Sequence, residues 1–244
     1  NIQFFVCDKL SESVQKHGAD RGAVVVMNPW TGEILSMCSN PDYDANYYSD
    51  VSDIEVFKNL GVSDAYEPGS VFKPMTMAGA LDMGKVSPNT TYTDQGLVQI
   101  GKWTIKNSDA KAHGVQTMTQ VLEASLNTGA IFAARSIGEA AFYQYVKNFG
   151  FGEEAGLEMQ GDAPGDISNL DDLKEINMVT GSYGQGITVT LLQLAQAYAV
   201  IANGGNLVKP YIVESIIDAN GEETKTTPTL IRKVISEKVA TMLS

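Results

Sequence analysis

Segments with the period of a strand bracket a middle that runs at the period of a helix, and this order constrains the fold more than any other feature of the chain. In GAVVVMNPWTGEILSMCSN, a β-branched run at Val24 to Val26 meets a second apolar stretch, Ile34 to Cys38. Asn28, Pro29 and Gly32 lie between them, the composition of a β-hairpin. LVQIGKWTIKN reads as a second hairpin turning at Gly101 and Lys102, and KPYIVESIIDANGEE as a strand entering a turn at Asn220 and Gly221. Helical spacing covers Val71 to Met83, Met118 to Glu123, Ala130 to Ile137, Ala140 to Phe149 and Leu191 to Ala202. The last has Thr190 as N-cap, Leu191, Leu194, Ala195, Tyr198 and Ile201 on one face, and Gly204-Gly205 as its stop. A further helix is predicted from Ile2 to His17, with Phe5, Leu10 and Val14 at helical spacing and Gly18 as terminator. Residues 40 to 64, rich in Asp and Tyr, read as a polar loop region. Strands flanking a helical middle predict an α+β fold rather than a repeating parallel βαβ chain.

Composition narrows the function classes. With 244 residues, 43% of them hydrophobic, and 23 glycines, the chain can bury the core of one large domain or two small ones. Its 29 acidic and 17 basic residues, with no basic run, argue against a nucleic-acid partner, because phosphate neutralisation needs clustered Lys and Arg. No continuous apolar run reaches the ~18 to 20 residues of a membrane span. The two cysteines, Cys7 and Cys38, have no metal-ligand spacing and are read as small buried hydrophobes. The two histidines, His17 and His113, lie far apart, so no His or Cys cluster calls for a metal, and no cofactor is implied.

Chemistry enters at AYEPGSVFKPMTMAGALDMG, where Ser70 stands three residues before Lys73 at the mouth of a predicted helix. A serine hydroxyl becomes a strong nucleophile when a base takes its proton, and positions i and i+3 share a helix face, so Lys73 is placed to be that base. The positive end of the helix disfavours the ammonium and favours a developing oxyanion. Pro68 and Gly69 permit a sharp turn into the helix, whereas Pro74 predicts a local kink in its first turn. By itself the spacing also fits a solvated lysine on a helix face. In EASLNTGA, Ser125 and Asn127 stand two apart between helical patterns, with Leu126 free to point into the core. The hydroxyl could relay a proton, and the amide could hold a peptide carbonyl and hydrogen-bond the lysine. Asn127 would equally serve as an ordinary N-cap.

Taken together and in order, YEPGSVFKPMTMAGAL, TIKNSDAKAHGVQTMTQVLEASLNTGA, FGFGEEAGLEMQGDAPG and GSYGQGITVTLLQLAQAYAVIANGG resemble the transpeptidase domain of class B penicillin-binding proteins, from about Arg21 onward. The resemblance implies a penicillin-binding-protein and serine β-lactamase-like fold: an antiparallel sheet with flanking helices and a helical subdomain. It implies that Ser70 is the acylated nucleophile, Lys73 its base, and Ser125 and Asn127 the S-x-N motif. The reaction implied is peptidoglycan D,D-transpeptidation on stem peptides, inhibited by β-lactams acylating the same serine. The resemblance further implies that this reaction takes place on the extracytoplasmic face of the bacterial membrane, beside membrane proteins of cell-wall synthesis. His113, in the family-like run KAHG, becomes a candidate to line the cleft.

The family's third motif, K-[ST]-G, lies on a strand beyond a segment such as IRKVISEKVATMLS, and neither K-T-G nor K-S-G occurs in these residues. The expectation is therefore that residues 1–244 are a C-terminally truncated transpeptidase domain with an incomplete sheet, its membrane anchor and pedestal domain lying outside the chain. Alternative readings are a β-lactam sensor or inactive scaffold, or a carboxypeptidase or β-lactamase. A hydrolase must deliver water to the ester, and the nearest acidic segment, DDLKEIN, does not match the glutamate motif of the class A lactamases.

Overall fold

The computed structural model describes residues 1–244 and shows helices and antiparallel strands in the predicted order. Helix α1 (Ile2–His17) ends at Gly18, whose φ of 61° closes the helix in the left-handed conformation. The first hairpin follows as β1 (Gly22–Met27) and β2 (Ile34–Asn40), paired in antiparallel register from Gly22 with Asn40 to Met27 with Ile34. Helix α1 lies along this hairpin, bringing Leu10 and Val14 against Gly22. At Met37, the Gln3 side chain donates to the carbonyl and accepts from the amide, both at 3.0 Å, so part of the outer edge of β2 is closed by a side chain instead of a strand.

One expectation is overturned here. Cys7 and Cys38 are not separate buried hydrophobes but a disulfide, with their Cα atoms 5.6 Å apart. Nothing in a spacing of 31 residues signals this pairing; the docking of α1 on β2 creates it. Closing a loop of that length contributes on the order of 3 to 4 kcal/mol in the chain-entropy picture.

Within the predicted loop region, short 3-10 turns at Ala45–Asp50 and Ile54–Phe57 precede α2 (Leu60–Ser63) and the two-residue β3 (Ala65–Tyr66). A 3-10 turn over Gly69–Phe72 then leads into α3 (Lys73–Asp82). The kink expected from Pro74 takes the form of this change from 3-10 to α geometry. Pro74 falls in the first α turn, where its missing N–H costs nothing. Residues Met75 to Leu81 are all buried, the pattern of a helix enclosed on every side.

Strands β4 (Thr91–Asp94) and β7 (Gly114–Thr117) pair around the second predicted hairpin, β5 (Leu97–Ile100) with β6 (Trp103–Lys106). Helices α4 (Met118–Glu123), α5 (Asn127–Ile137) and α6 (Glu139–Asn148) follow, and α7 (Glu175–Gly181) leads to β8 (Val189–Thr190), which pairs with β3. Helix α8 (Leu191–Ala202) has the predicted limits, with Thr190 and Gln193 forming a capping box. Its buried side differs from the one expected: Leu192, Leu194, Ala197, Val200 and Ile201 are buried and Tyr198 is exposed. The helix is enclosed by β1, α2, β9 and α9, so no single stripe defines its interior. Strands β9 (Asn206–Val208), β10 (Ser215–Ile217), β11 (Glu223–Lys225) and β12 (Leu230–Lys233) and helix α9 (Glu237–Leu243) complete the chain. The strands form six antiparallel pairs, not one continuous sheet. The main core gathers Phe72, Met75 and Met77 of the α3 region with Phe142, Phe149 and Phe151, and the rings of Phe72 and Phe151 lie 5.1 Å apart.

Candidate active site

The nucleophile candidate sits where a buried helix meets solvent. On the turn before α3, Ser70 and Val71 are exposed while Phe72 and Lys73 are buried, Lys73 to 2% exposure. Three interactions pin this turn to the segment Ser182–Gly186. Gly69 N–H donates to the Gly184 carbonyl at 2.9 Å, Gly186 N–H donates to Glu67 Oε1 at 2.8 Å, and Thr76 Oγ1 donates to the Ser182 carbonyl at 2.8 Å. The backbones approach so closely that a Cβ on Gly184, whose φ is 79°, would stand 2.2 Å from the Gly69 carbonyl oxygen. Only glycine fits there. Tyr198, exposed on α8, donates its hydroxyl to the Val71 carbonyl at 2.8 Å and holds the turn from another side.

Lys73 aims at the second constellation. Its Nζ donates to the carbonyl oxygen of Ser125 at 2.5 Å and to Ser125 Oγ at 3.0 Å. Burial withholds water from the ammonium and pulls the Lys73 pKa down from 10.5 to about 8, and the amino end of α3 acts in the same direction. The lysine's hydrogen bonds run to Ser125 and not to Ser70, which stands exposed at the mouth.

Ser125 can face Lys73 because the chain bends sharply between α4 and α5. Leu126 N–H donates to the Val121 carbonyl at 2.9 Å and Ser125 N–H to the Leu122 carbonyl at 3.2 Å, the pair of bonds that closes a Schellman motif. Glycine usually occupies the left-handed position of that motif; here it is Ser125, with φ of 53°. A non-glycine residue there carries about 1 to 2 kcal/mol of strain. The strained geometry presents both its carbonyl and its hydroxyl to Nζ. Leu126 points into the core at 2% exposure, as expected.

Asn127 behaves differently from the expectation. Its Nδ2 donates to the Lys106 carbonyl at 2.9 Å, not to Lys73, and it is the first residue of α5, not its N-cap. The N-cap is Leu126, whose side chain cannot cap. His113 does not reach the lysine either: its ring pairs with Asp109 at 2.9 Å and its backbone N–H donates to Asp94.

Sequence reasoning missed Asp94, Asn107, Thr128, Glu67 and Gly184. The Asp94 carboxylate, 2% exposed, accepts from Gly96 N–H, Thr128 Oγ1, His113 N–H and Asn107 Nδ2. Desolvation alone would raise its pKa, but these four bonds outweigh that and hold it below the usual carboxylate range. No local pattern announces such a group; a short Asp-x-Gly turn signal at Asp94–Gly96 was the one available hint.

Comparison with known proteins shows the family and the fold. Residues 22–244 match the penicillin binding protein transpeptidase domain. Stage V sporulation protein D of Bacillus subtilis is 34% identical over 242 residues, covering 98% of this chain and 38% of that protein. Penicillin-binding protein PbpB of Mycolicibacterium smegmatis is 31% identical, covering 100% of this chain and again 38% of the relative, so the chain spans well under half the length of these proteins. Penicillin-binding protein 3 of Mycobacterium tuberculosis, solved in complex with aztreonam, superposes with a TM-score of 0.89 at 29% identity, over 99% of this chain and 54% of that one. The apo transpeptidase domain of penicillin-binding protein 3 from Burkholderia pseudomallei gives 0.83 at 28% identity, over 99% and 66%. On these grounds the chain belongs to the penicillin-binding-protein transpeptidase family, on its class B branch.

Proposed function

We propose that this chain carries the acyl-transfer centre of a peptidoglycan D,D-transpeptidase, with Ser70 as nucleophile, Lys73 as general base, and Ser125 and Asn127 as proton relay and carbonyl holder. The observation that carries the reading is the buried Lys73, its pKa brought down to about 8 and its Nζ bonded to Ser125, three residues beyond an exposed serine. Lys73 takes the Ser70 proton as Oγ attacks the carbonyl of the penultimate D-alanine of a stem peptide. The C–N bond to the terminal D-alanine breaks, and Ser125 passes a proton to the departing amine, leaving an ester on Ser70. The amine of a second stem peptide then attacks the ester, forming the cross-link and freeing Ser70. β-Lactams acylate the same serine: Oγ attacks the lactam carbonyl, the ring C–N bond breaks, and its nitrogen takes the proton but stays attached to the acyl group.

The reading places the site of action at the extracytoplasmic face of the bacterial membrane, among membrane proteins of cell-wall synthesis. No helix here is long and apolar enough to cross a membrane. A hydrolase must deliver water to the ester, which class A lactamases do with a glutamate; Glu123, Asp171, Asp172 and Glu175 make no hydrogen bond to Ser70, Lys73 or Ser125, and Asp171 binds Tyr143 and Glu175 binds Arg135. The test is a donor and acceptor assay on the full-length protein with a D-alanyl-D-alanine stem peptide and an amine acceptor. Cross-linked product that vanishes in Ser70→Ala supports the proposal. Release of D-alanine with water as the only acceptor would move the assignment to a carboxypeptidase, and cross-linking by Ser70→Ala would refute it.

A further inference from the structure

Helix α5 begins without a side-chain cap of its own, because Leu126 is committed to the core. Its first turn is instead satisfied from outside. Asn107 Oδ1 accepts from Thr128 N–H at 3.2 Å, and Asn127 Nδ2 reaches the adjacent Lys106 carbonyl, so two neighbouring residues of α5 are stitched to two neighbouring residues at the end of β6. Asp94 fastens both sides of that seam. Its Oδ1 accepts from Thr128 Oγ1 and Gly96 N–H, each at 2.8 Å, and its Oδ2 accepts from Asn107 Nδ2 at 2.8 Å and His113 N–H at 3.0 Å. A carboxylate beside a helix amino end is also favoured by the helix dipole. Ser125 and Asn127 flank the N-cap that this cluster holds.

We propose that Asp94 is a positioning residue of the site: through Thr128 and Asn107 it fixes the first turn of α5, and so sets Ser125 and Asn127 against Lys73 and the cleft. Asp94 touches no reacting atom. Its effect on rate rests on the acyl-transfer reading above, while its effect on the order of the turn does not. Replacement by Asn is a sharp perturbation at constant volume. Each carboxylate oxygen accepts two donors, so one orientation of the new amide sets its NH2 against Asn107 Nδ2 and His113 N–H, and the other sets it against Gly96 N–H and forces the Thr128 hydroxyl to turn and accept.

The test uses the full-length protein, with acylation by a fluorescent penicillin and amide hydrogen exchange read in parallel. Asp94→Asn should slow acylation by about 10²-fold, the scale of a roughly 1 Å misplacement of a catalytic group. The effect should shrink clearly in a Ser125→Ala background, leaving only the part that acts through Asn127, because residues acting through one another are not additive. Exchange should quicken over residues 124–130 while the core of α3 stays protected. Thr128→Val, which removes one donor, should reproduce both effects in milder form, and Thr128→Ser should restore wild-type behaviour. If Asp94→Asn does not fold, the Thr128 pair decides by the same measures. Asp94→Asn acylation within about twofold of wild type, full additivity with Ser125→Ala, or unchanged exchange at residues 124–130 would each overturn the proposal. Should the wild-type protein take no penicillin, the transpeptidase reading falls, and the exchange arm alone decides whether Asp94 orders the turn.

Discussion

The two halves of the site are held by opposite means. Lys73 opens a helix buried in an apolar core, with Phe72 before it fully enclosed and every residue from Met75 to Leu81 buried, and Ser70 stands exposed on the 3-10 turn that leads into it. Ser125 and Asn127 sit on a turn with a left-handed serine at its centre, and a polar cluster of Asp94, Asn107 and Thr128 holds the helix that follows. Apolar packing fixes the position of an element and tolerates small changes of shape with graded losses. A buried polar cluster fixes direction, and one unmatched donor leaves a full desolvation penalty. The proposed mechanism asks the first half to keep a lysine partly neutral, and there the lysine itself is dry although hydrogen bonds seat the turn before it. It asks the second half to orient a hydroxyl, and there the hydrogen bonds lie at the site's own helix start.

The largest expected effect breaks the dry half. Lys73→Arg introduces a group that keeps its proton, so acylation should fall by about 10²- to 10⁴-fold, measured as the second-order rate with penicillin beside a thermal melt. Near-normal acylation by the folded variant would transfer the base role to another residue.

That half was the more legible in the sequence. The S-x-x-K spacing and the apolar run after it are local, and the structure places both residues at the mouth of α3. The Thr190 capping box and the limits of α8 were legible for the same reason. What escaped depends on contacts between distant residues. Asn-Thr-Gly has the composition of a turn, so the start of α5 was expected three residues late, at Ala130 rather than Asn127. The first turn is helical because Asn107, 21 residues earlier, accepts one of its N–H groups. Strands β4 and β7 pair across an intervening hairpin, and the Cys7–Cys38 bridge needs α1 docked on β2. The partner of Asn127, the Lys106 carbonyl, is likewise 21 residues away.

A second, smaller perturbation tests how tightly the nucleophile turn is seated. Gly184→Ala would drive a methyl group into the Gly69 carbonyl in a left-handed backbone, at an expected cost of about 1 to 3 kcal/mol. Chemical denaturation should show that loss, and acylation at Ser70 should slow with it. Full stability in the alanine variant would mean that the close approach of Gly69 and Gly184 does not restrain the turn.

The smallest effect separates strain from chemistry on the wired half. Ser125→Gly and Ser125→Ala both remove the hydroxyl, but only glycine relieves the left-handed backbone at φ 53°. The glycine variant should be more stable than the alanine variant by about 1 kcal/mol in denaturant midpoints, with acylation impaired in both. Equal stability would show that the turn exacts no strain.

The central claim is that a lysine made dry enough to lose its proton near pH 8 activates Ser70. Its unfolded pKa of 10.5 lies above the folded one, so the unfolded chain binds the extra proton between the two values, and Lys73 contributes stability that rises with pH from about 8 to 10.5. The same proton governs rate. The most direct measurement is the second-order rate of penicillin acylation of the full-length protein from pH 6 to 10, with the adduct located by mass spectrometry. The account predicts an adduct on Ser70 and a rate that rises about tenfold per pH unit before levelling near pH 8. An adduct on another residue, or a rate flat across that range, would contradict it.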